Sequence, residues 1–251
     1  MPTWTWCVFD TNSIWVIGLG ERVTAGFGAS PGKSYWHRLI ENRVGDDPAL
    51  EGKCLKQLFP NLIATNLSIS GSTSLHHSRS QLPRVPRDAQ RRAIVVMTAG
   101  GNDLIHSYGM EPPKEGAMYG ATWQQAQPWI DAFARRIDGM ATELEKHFPL
   151  GIEIYLTTIY DPSDGTGVLR HTGLPSWPDG VRILAAFNER IRKLAQTHAS
   201  VHVVEVHPSF LGHGLHAGHW WEPHYDRADP YCWLADNIED PNDRVYDAIR
   251  R

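Results

Sequence analysis

The sequence predicts one α/β domain spanning residues 1–251, a three-layer α/β/α sandwich about a parallel five-stranded sheet. Three observations carry this. Five short apolar runs stand apart along the chain, and their near-continuous β-branched character suits strands buried on both faces of a parallel sheet. Amphipathic helical patterns lie between the last three runs, the alternation that right-handed crossovers require. The 251 residues suffice to bury roughly three-quarters of the unfolded chain's surface, and no repeat, low-complexity tract or linker composition divides them.

The first run, "SIWVIG" (13–18), ends in a glycine-rich turn, "GLGERVTAGFGAS" (18–30), which leads into a helix expected in "SYWHRLIEN". The second is "NLIATNLSI" (61–69) and the third "RAIVVMTAG" (92–100). A helix is predicted over 123–147, where Ala126, Ile130, Phe133, Ile137, Met140 and Leu144 make one apolar stripe at steps of three and four. The fourth run is "GIEIYLTTI" (151–159). A second long helix is predicted over 180–199 from Ile183, Phe187, Ile191 and Leu194, and the last run is "VHVVEV" (201–206). Two stretches break this rhythm, 104–120 and 207–235, both rich in Gly, Pro, His and aromatic residues. Loops of that length and aromatic content are expected to be ordered and functional, and 104–120 could close over a pocket.

Composition narrows the function. A net charge of −4 argues against a surface that tracks phosphates, so no nucleic-acid partner is expected. No run reaches the ~18 apolar residues of a membrane span. Cys7, Cys54 and Cys232 are odd in number and form no C-x-x-C pair, so a fold held by its core rather than by disulfides is expected. The start, "MPTWTWCVFD", lacks the form of a signal peptide, which places the chain in the cytoplasm as written, or outside the cell if a leader has been removed. Ten Trp and thirteen His are high for this length, and the tryptophans suit a groove for a ring-shaped or acyl ligand.

In a doubly wound sheet, ligands sit beyond the carboxyl ends of the strands. There the chain places Gly20-Glu21-Arg22 after the first run and Ser70-Gly71-Ser72-Thr73-Ser74 after the second. Gly100-Gly101-Asn102-Asp103 follows the third, and "HPSFLGHGLHAGHWWEPH" the last. Glycine turns and an Asn amide converging on one edge supply the donors that an oxyanion hole needs. Yet the first turn carries an acid and a base, with no hydroxyl or thiol at its tip.

The set resembles the SGNH/GDSL esterase-lipase superfamily over nearly the whole chain. Gly20, Glu21, Arg22 and "TAGFG" fall in step with the first block, Gly71 with the oxyanion glycine of the second, and Gly100-Gly101-Asn102-Asp103 with the third in full. The last block, aspartate-x-x-histidine before Pro-Asn, is similar to "DNIEDPN", residues Asp236 to Asn242. The resemblance implies a flavodoxin-like sheet of SGNH-hydrolase type and hydrolysis of carboxylic esters. It also implies an oxyanion hole of Gly71 and Asn102, with Gly100 and Asp103 in support. The departures are equally specific. The nucleophilic serine falls on Arg22 and the aspartate before it on Glu21. Aligned on Pro241-Asn242 the base histidine falls on Asp240, and aligned on Asp236 it falls on Glu239.

Arg22 cannot attack a carbonyl, because its guanidinium stays protonated, and a carboxylate at 239 or 240 is a much weaker base than imidazole. Two readings of Glu21-Arg22 stay open: a solvated ion pair at a turn, or an anion site at a helix N-terminus beside the old oxyanion hole. Gly28-Ala29-Ser30-Pro31-Gly32 matches G-x-S-x-G by letter, but Pro31 lacks the amide hydrogen that an elbow needs. Thr24 is expected to cap the following segment, and Ser70 and Ser72 to hold their turn. His213 or His216, in "GHGLH", could supply the base, while the same loop's histidines could simply pack on Trp220, Trp221 and Trp233. Its imidazoles could also bind zinc, but the spacing is only weakly diagnostic, so neither metal nor cofactor is expected. The expected partner is a small-molecule ester or, on the alternative reading of a non-catalytic binding protein, an anionic ligand at Arg22.

Overall fold

The five apolar runs become the five strands β1 (Trp15–Leu19), β2 (Ile63–Asn66), β3 (Ala93–Met97), β4 (Ile152–Thr157) and β5 (Val201–Val204). This computed structural model describes residues 13–42, 46, 48–169, 172–235 and 240–251. The strands pair in parallel in the order β2-β1-β3-β4-β5, with Ile17 opposite Thr65 on one side and Val95 on the other. That is the flavodoxin-like order, and its switch point lies between β1 and β3.

The helices are α1 (Arg22–Ala25), α2 (Tyr35–Ile40), α3 (Leu55–Leu58), α4 (Ser74–His76), α5 (Gly101–Ile105), α6 (Trp123–His147), α7 (Gly180–Thr197), α8 (Val206–Phe210) and α9 (Asp243–Arg250). Alternation along the strands divides the core. Ile17, Leu19, Val95, Met97, Ile154 and Leu156 face α6 and α7, whereas Val16 and Val96 face Val23, Tyr35, Trp36 and Tyr246 on the other side. Every residue of the two predicted helical stripes is buried, and Phe133 of α6 meets Phe187 of α7 with ring centroids 4.4 Å apart. The α6 start is fixed by a capping box, in which Thr122 and Gln125 exchange side-chain-to-backbone bonds.

Both irregular stretches are tied down. Tyr119 is buried and donates its hydroxyl to Pro175 O at 2.7 Å, while Lys114 and Ala117 exchange backbone bonds. In the second stretch the buried Asp164 carboxylate accepts from the amides of Gly212, Gly214 and His216. Cys54 and Cys232 are unpaired, and Cys7 lies outside the described residues. Among the described residues, no helix is long and apolar enough to cross a membrane.

Candidate active site

Beyond β1 the chain turns at Gly20, whose φ of +126° is open to glycine and strained for other residues. A Cβ there would also stand 2.3 Å from Thr98 O. Gln81 holds the turn by accepting from Gly20 N and donating to Gly20 O, both at 2.8 Å. Glu21 follows, buried, and its carboxyl accepts from Gly101 N at 3.0 Å and Asn102 N at 2.7 Å, first amides of α5. Those amides favour the ionised acid, but burial outweighs them and pushes the Glu21 carboxyl up to about 8.

Arg22 opens α1 and directs Nη1 to Asp240 Oδ2 at 3.5 Å, with its guanidinium 5.7 Å from the Phe27 ring centroid. Asp240 is 1% exposed. Its backbone is fixed by the bond from Ala235 N to Asp240 O and by the bridge between Leu234 and Pro241. Asn242 then caps α9, accepting from Arg244 N and Val245 N. A terminal segment thus brings Asp240 back across the chain to the β1 turn.

The second turn closes through Ser72 N to Ile69 O, with Gly71 at φ +78° in the third place, the left-handed position that favours glycine. Ser72 donates its hydroxyl to Gly20 O and Ile69 O, which joins this turn to the first. Asn102 Nδ2 donates to Ser72 O at 2.9 Å, and so the expected oxyanion residues share one hydrogen-bonded frame. Asp103 points the other way. Its buried carboxyl accepts from Ser74 N and Ser74 Oγ, and Arg136 stands 4.0 Å away. Burial raises the Asp103 carboxyl, with the Ser74 bonds and Arg136 opposing. It is a strut behind α5, and Gly100 is the cap of that helix.

Glu21, Arg22, Asn102 and Asp240 all line one cleft at the switch point, with about 130 Å³ of internal space. Leu104, Ile105, Ile159, Trp177, Val181 and Leu184 make much of its wall, and Arg22 is the one cation among the described lining residues.

The model of the GDSL-like lipase/acylhydrolase family matches residues 19–237. The chain belongs to that family. Solved structures agree in fold. An extracellular lipase from Streptomyces rimosus is 17% identical with a TM-score of 0.62, covering 94% of this chain and 97% of its own. A phospholipase A1 from Streptomyces albidoflavus NA297 is 14% identical, TM-score 0.58, covering 94% and 95%. An acetylxylan esterase from Geobacillus stearothermophilus is 16% identical, TM-score 0.57, covering 95% and 91%. No curated protein matches the chain in sequence.

Arg22 and Asp240, which the sequence resemblance sets at the nucleophile and at one base position, form an ion pair in this GDSL-like chain. The other two candidates of the last block, Asp236 and Glu239, lie outside the described residues. The histidines expected as a base do not reach the cleft. His213 stacks on Trp233 at 3.8 Å and 4°, and His216 donates Nε2–H to Val168 O at 2.7 Å. No histidine is among the described lining residues. The physical reason is the Asp164 carboxylate, whose bonds to Gly212, Gly214 and His216 hold that loop behind the cleft wall.

Other expectations change too. Thr24 is no cap: it is fully buried, bonded to Tyr35 Oη at 2.8 Å and Thr98 Oγ1 at 2.9 Å. Ser30 sits outside the cleft lining, its amide donating to Asp243 Oδ1. The sequence reading passed over Tyr160, Asp161 and Ser163, which line the cleft after β4. The signal was present in "IYDPSDG", a turn-forming cluster beyond the carboxyl end of a strand. There Ser163 donates Oγ–H to Asp161 Oδ1 at 2.7 Å, and Asp161 also accepts from the amides of Ser163 and Gly165. That pattern caps a turn.

Proposed function

We propose that this family member binds an acyl or aryl ligand, its carboxylate or carbonyl oxygen at Arg22 and its apolar part along the cleft, without serine-type ester hydrolysis. One observation carries the reading: the two residues that the family resemblance sets at the nucleophile and base positions, Arg22 and Asp240, are joined in an ion pair. A guanidinium stays protonated and gives up no electron pair to a carbonyl, and the paired carboxylate is a poor base near neutral pH. The same guanidinium has five N–H donors, enough to serve an ion pair and a ligand oxygen together. Glu21, largely protonated at neutral pH, adds little negative charge beside it.

A second reading, ester hydrolysis of reduced rate, is favoured by Asn102, which lines the cleft and is held by Ser72 O in the turn that carries Gly71. Donors of this kind can leave roughly 10³–10⁴-fold acceleration over water after a triad member is gone. Two assays separate the readings. Decanoate and 4-phenylbutyrate, titrated calorimetrically, should bind the parent and fail to bind Arg22→Ala. The parent should turn over p-nitrophenyl acetate no faster than buffer does. Turnover above buffer, lost when decanoate occupies the cleft, would overturn the binding-only reading in favour of the hydrolase.

A further inference from the structure

The loop that supplies no base to the cleft carries another arrangement. Its backbone bonds from His219 N to His216 O and from Glu222 N to His219 O, both 2.9 Å, advance three residues per turn. At that pitch side chains three apart eclipse one another. His216, His219 and Glu222 therefore share one side, with a ligand atom of each within 4.8 Å of the others. We propose that these three side chains bind a divalent zinc ion, which fastens this loop to the segment around Val168 at the edge of the cleft.

The donor geometry is specific. His216 Nδ1 and His219 Nδ1 are 3.3 Å apart. Two imidazole nitrogens at ~2.0–2.1 Å from one tetrahedral zinc stand about 3.3–3.4 Å from each other, so the rings need not move. The tautomer of His216 is also set. Its Nε2 faces a carbonyl, Val168 O at 2.7 Å, and must carry the proton. Nδ1 is left with its lone pair directed into the cluster, the arrangement in which a second hydrogen bond orients a metal-binding histidine.

His216 is 5% exposed and its amide is held by Asp164 Oδ2, while His219 is kept flat against Trp221, 4.9 Å between centroids and 10° between planes. Glu222 Oε1 lies 3.9 Å from His216 Nδ1 and within 4.8 Å of a His219 nitrogen, so this half-buried side chain closes inward to take the third position. Imidazole ligands select zinc over calcium or magnesium, which take oxygen, and three protein ligands leave a fourth position for water.

The consequence reaches the cleft through Val168. Its neighbours Gly167 and Leu169 line the cleft wall, and the carbonyl between them is the one His216 grips. A bound ion would rigidify that grip. This differs from the metal-free expectation drawn from the loop's spacing, because the eclipsed turns set the geometry and spacing alone does not.

The test uses the full chain purified without a histidine tag, stripped with a chelator and titrated calorimetrically with ZnCl₂. One ion per chain is expected, with a melting temperature raised by roughly 5–10 °C at a hundredfold excess over Kd. Zinc affinity should fall at least tenfold in His219→Ala and in Glu222→Gln, and stay unchanged in His202→Ala, which removes an exposed histidine elsewhere. Glu222→Gln preserves shape and guards against misfolding of the histidine variant. Absence of zinc binding, or binding that survives both cluster variants, overturns the proposal.

Discussion

Between about pH 5.5 and about pH 7.5, Glu21 should weaken the fold steadily, and Glu21→Gln should remove that part of the pH dependence. The Glu21 carboxyl rises from 4.5 to about 8 because burial penalises its charge, more strongly than the amides of Asn102 and Gly101 stabilise it. An acid whose folded pKa is raised gives stability that is complete below its unfolded pKa and lost as pH rises through the folded one. Across the interval between, the folded chain holds one proton more than the unfolded chain, and stability falls by about 1.4 kcal/mol per pH unit. Two units amount to roughly 2.7 kcal/mol, or about 5–10 °C in melting temperature for a chain of this size. His77 works in the opposite sense: burial lowers it from 6.5 to about 3, so its share of stability grows with pH until about 6.5. The measurement is therefore the difference between parent and Glu21→Gln melting curves, recorded calorimetrically across the interval, in which the His77 contribution cancels. The amide of glutamine meets a backbone N–H at this site, which adds a constant offset of about 1–3 kcal/mol without a slope. Parallel pH profiles would refute the reasoning and mean that the two α5 amides keep Glu21 ionised.

Two further outcomes are expected at the ion pair. Arg22→Ser alone should leave p-nitrophenyl acetate turnover at the buffer rate, since no histidine is among the described lining residues, whereas Arg22→Ser with Asp240→His should gain at least ~10²-fold, the lower range for a positioned general base. Equal turnover in both would show that the retained frame no longer supports acyl transfer. In a double-mutant cycle of Arg22→Ala and Asp240→Asn, followed by urea unfolding, the pair should couple by about 1–3 kcal/mol, between the values for exposed and for buried pairs. A coupling near zero would reduce the contact to proximity.

The architecture was legible because each strand leaves a short apolar run, although only β1 and β3 are buried on both faces and β2, β4 and β5 expose residues such as Glu153, Tyr155 and His202, and because the α6 and α7 stripes repeat with helical period. The turn glycines Gly20 and Gly71 and the cleft residue Asn102 were open to a related rule, since each follows a strand, although of the three only Asn102 is among the described cleft-lining residues. The histidine loop was not. Its position is decided by the buried Asp164 carboxylate, 50 positions from Gly214, and by the stacking of His213 on Trp233, 20 positions away, interactions that no periodicity announces. Thr24 was misjudged for a similar reason, since nothing local places a threonine between a tyrosine hydroxyl and a threonine from β3's exit. Asp161 and Ser163 were open to the strand-end rule that found the others.

On the proposed reading, the departures that the resemblance implies at Arg22 and Asp240 make physical sense as one coupled change. Had arginine replaced the serine opposite a histidine, two groups able to carry positive charge would face and repel each other. Had aspartate replaced the histidine opposite a serine, a carboxylate only 1% exposed would stand without a counter-charge, a defect of a kind that costs several kcal/mol. Together they neutralise each other at 3.5 Å and leave the Gly71–Asn102 frame standing. Glu21 fits the same logic. Its carboxyl reaches both α5 amides and carries its proton at neutral pH, so it adds little charge beside the guanidinium that contacts Asp240. On the proposed reading, an apolar cleft wall then leads to the guanidinium of Arg22, whose N–H donors would meet a ligand oxygen where an active relative would hold a nucleophile.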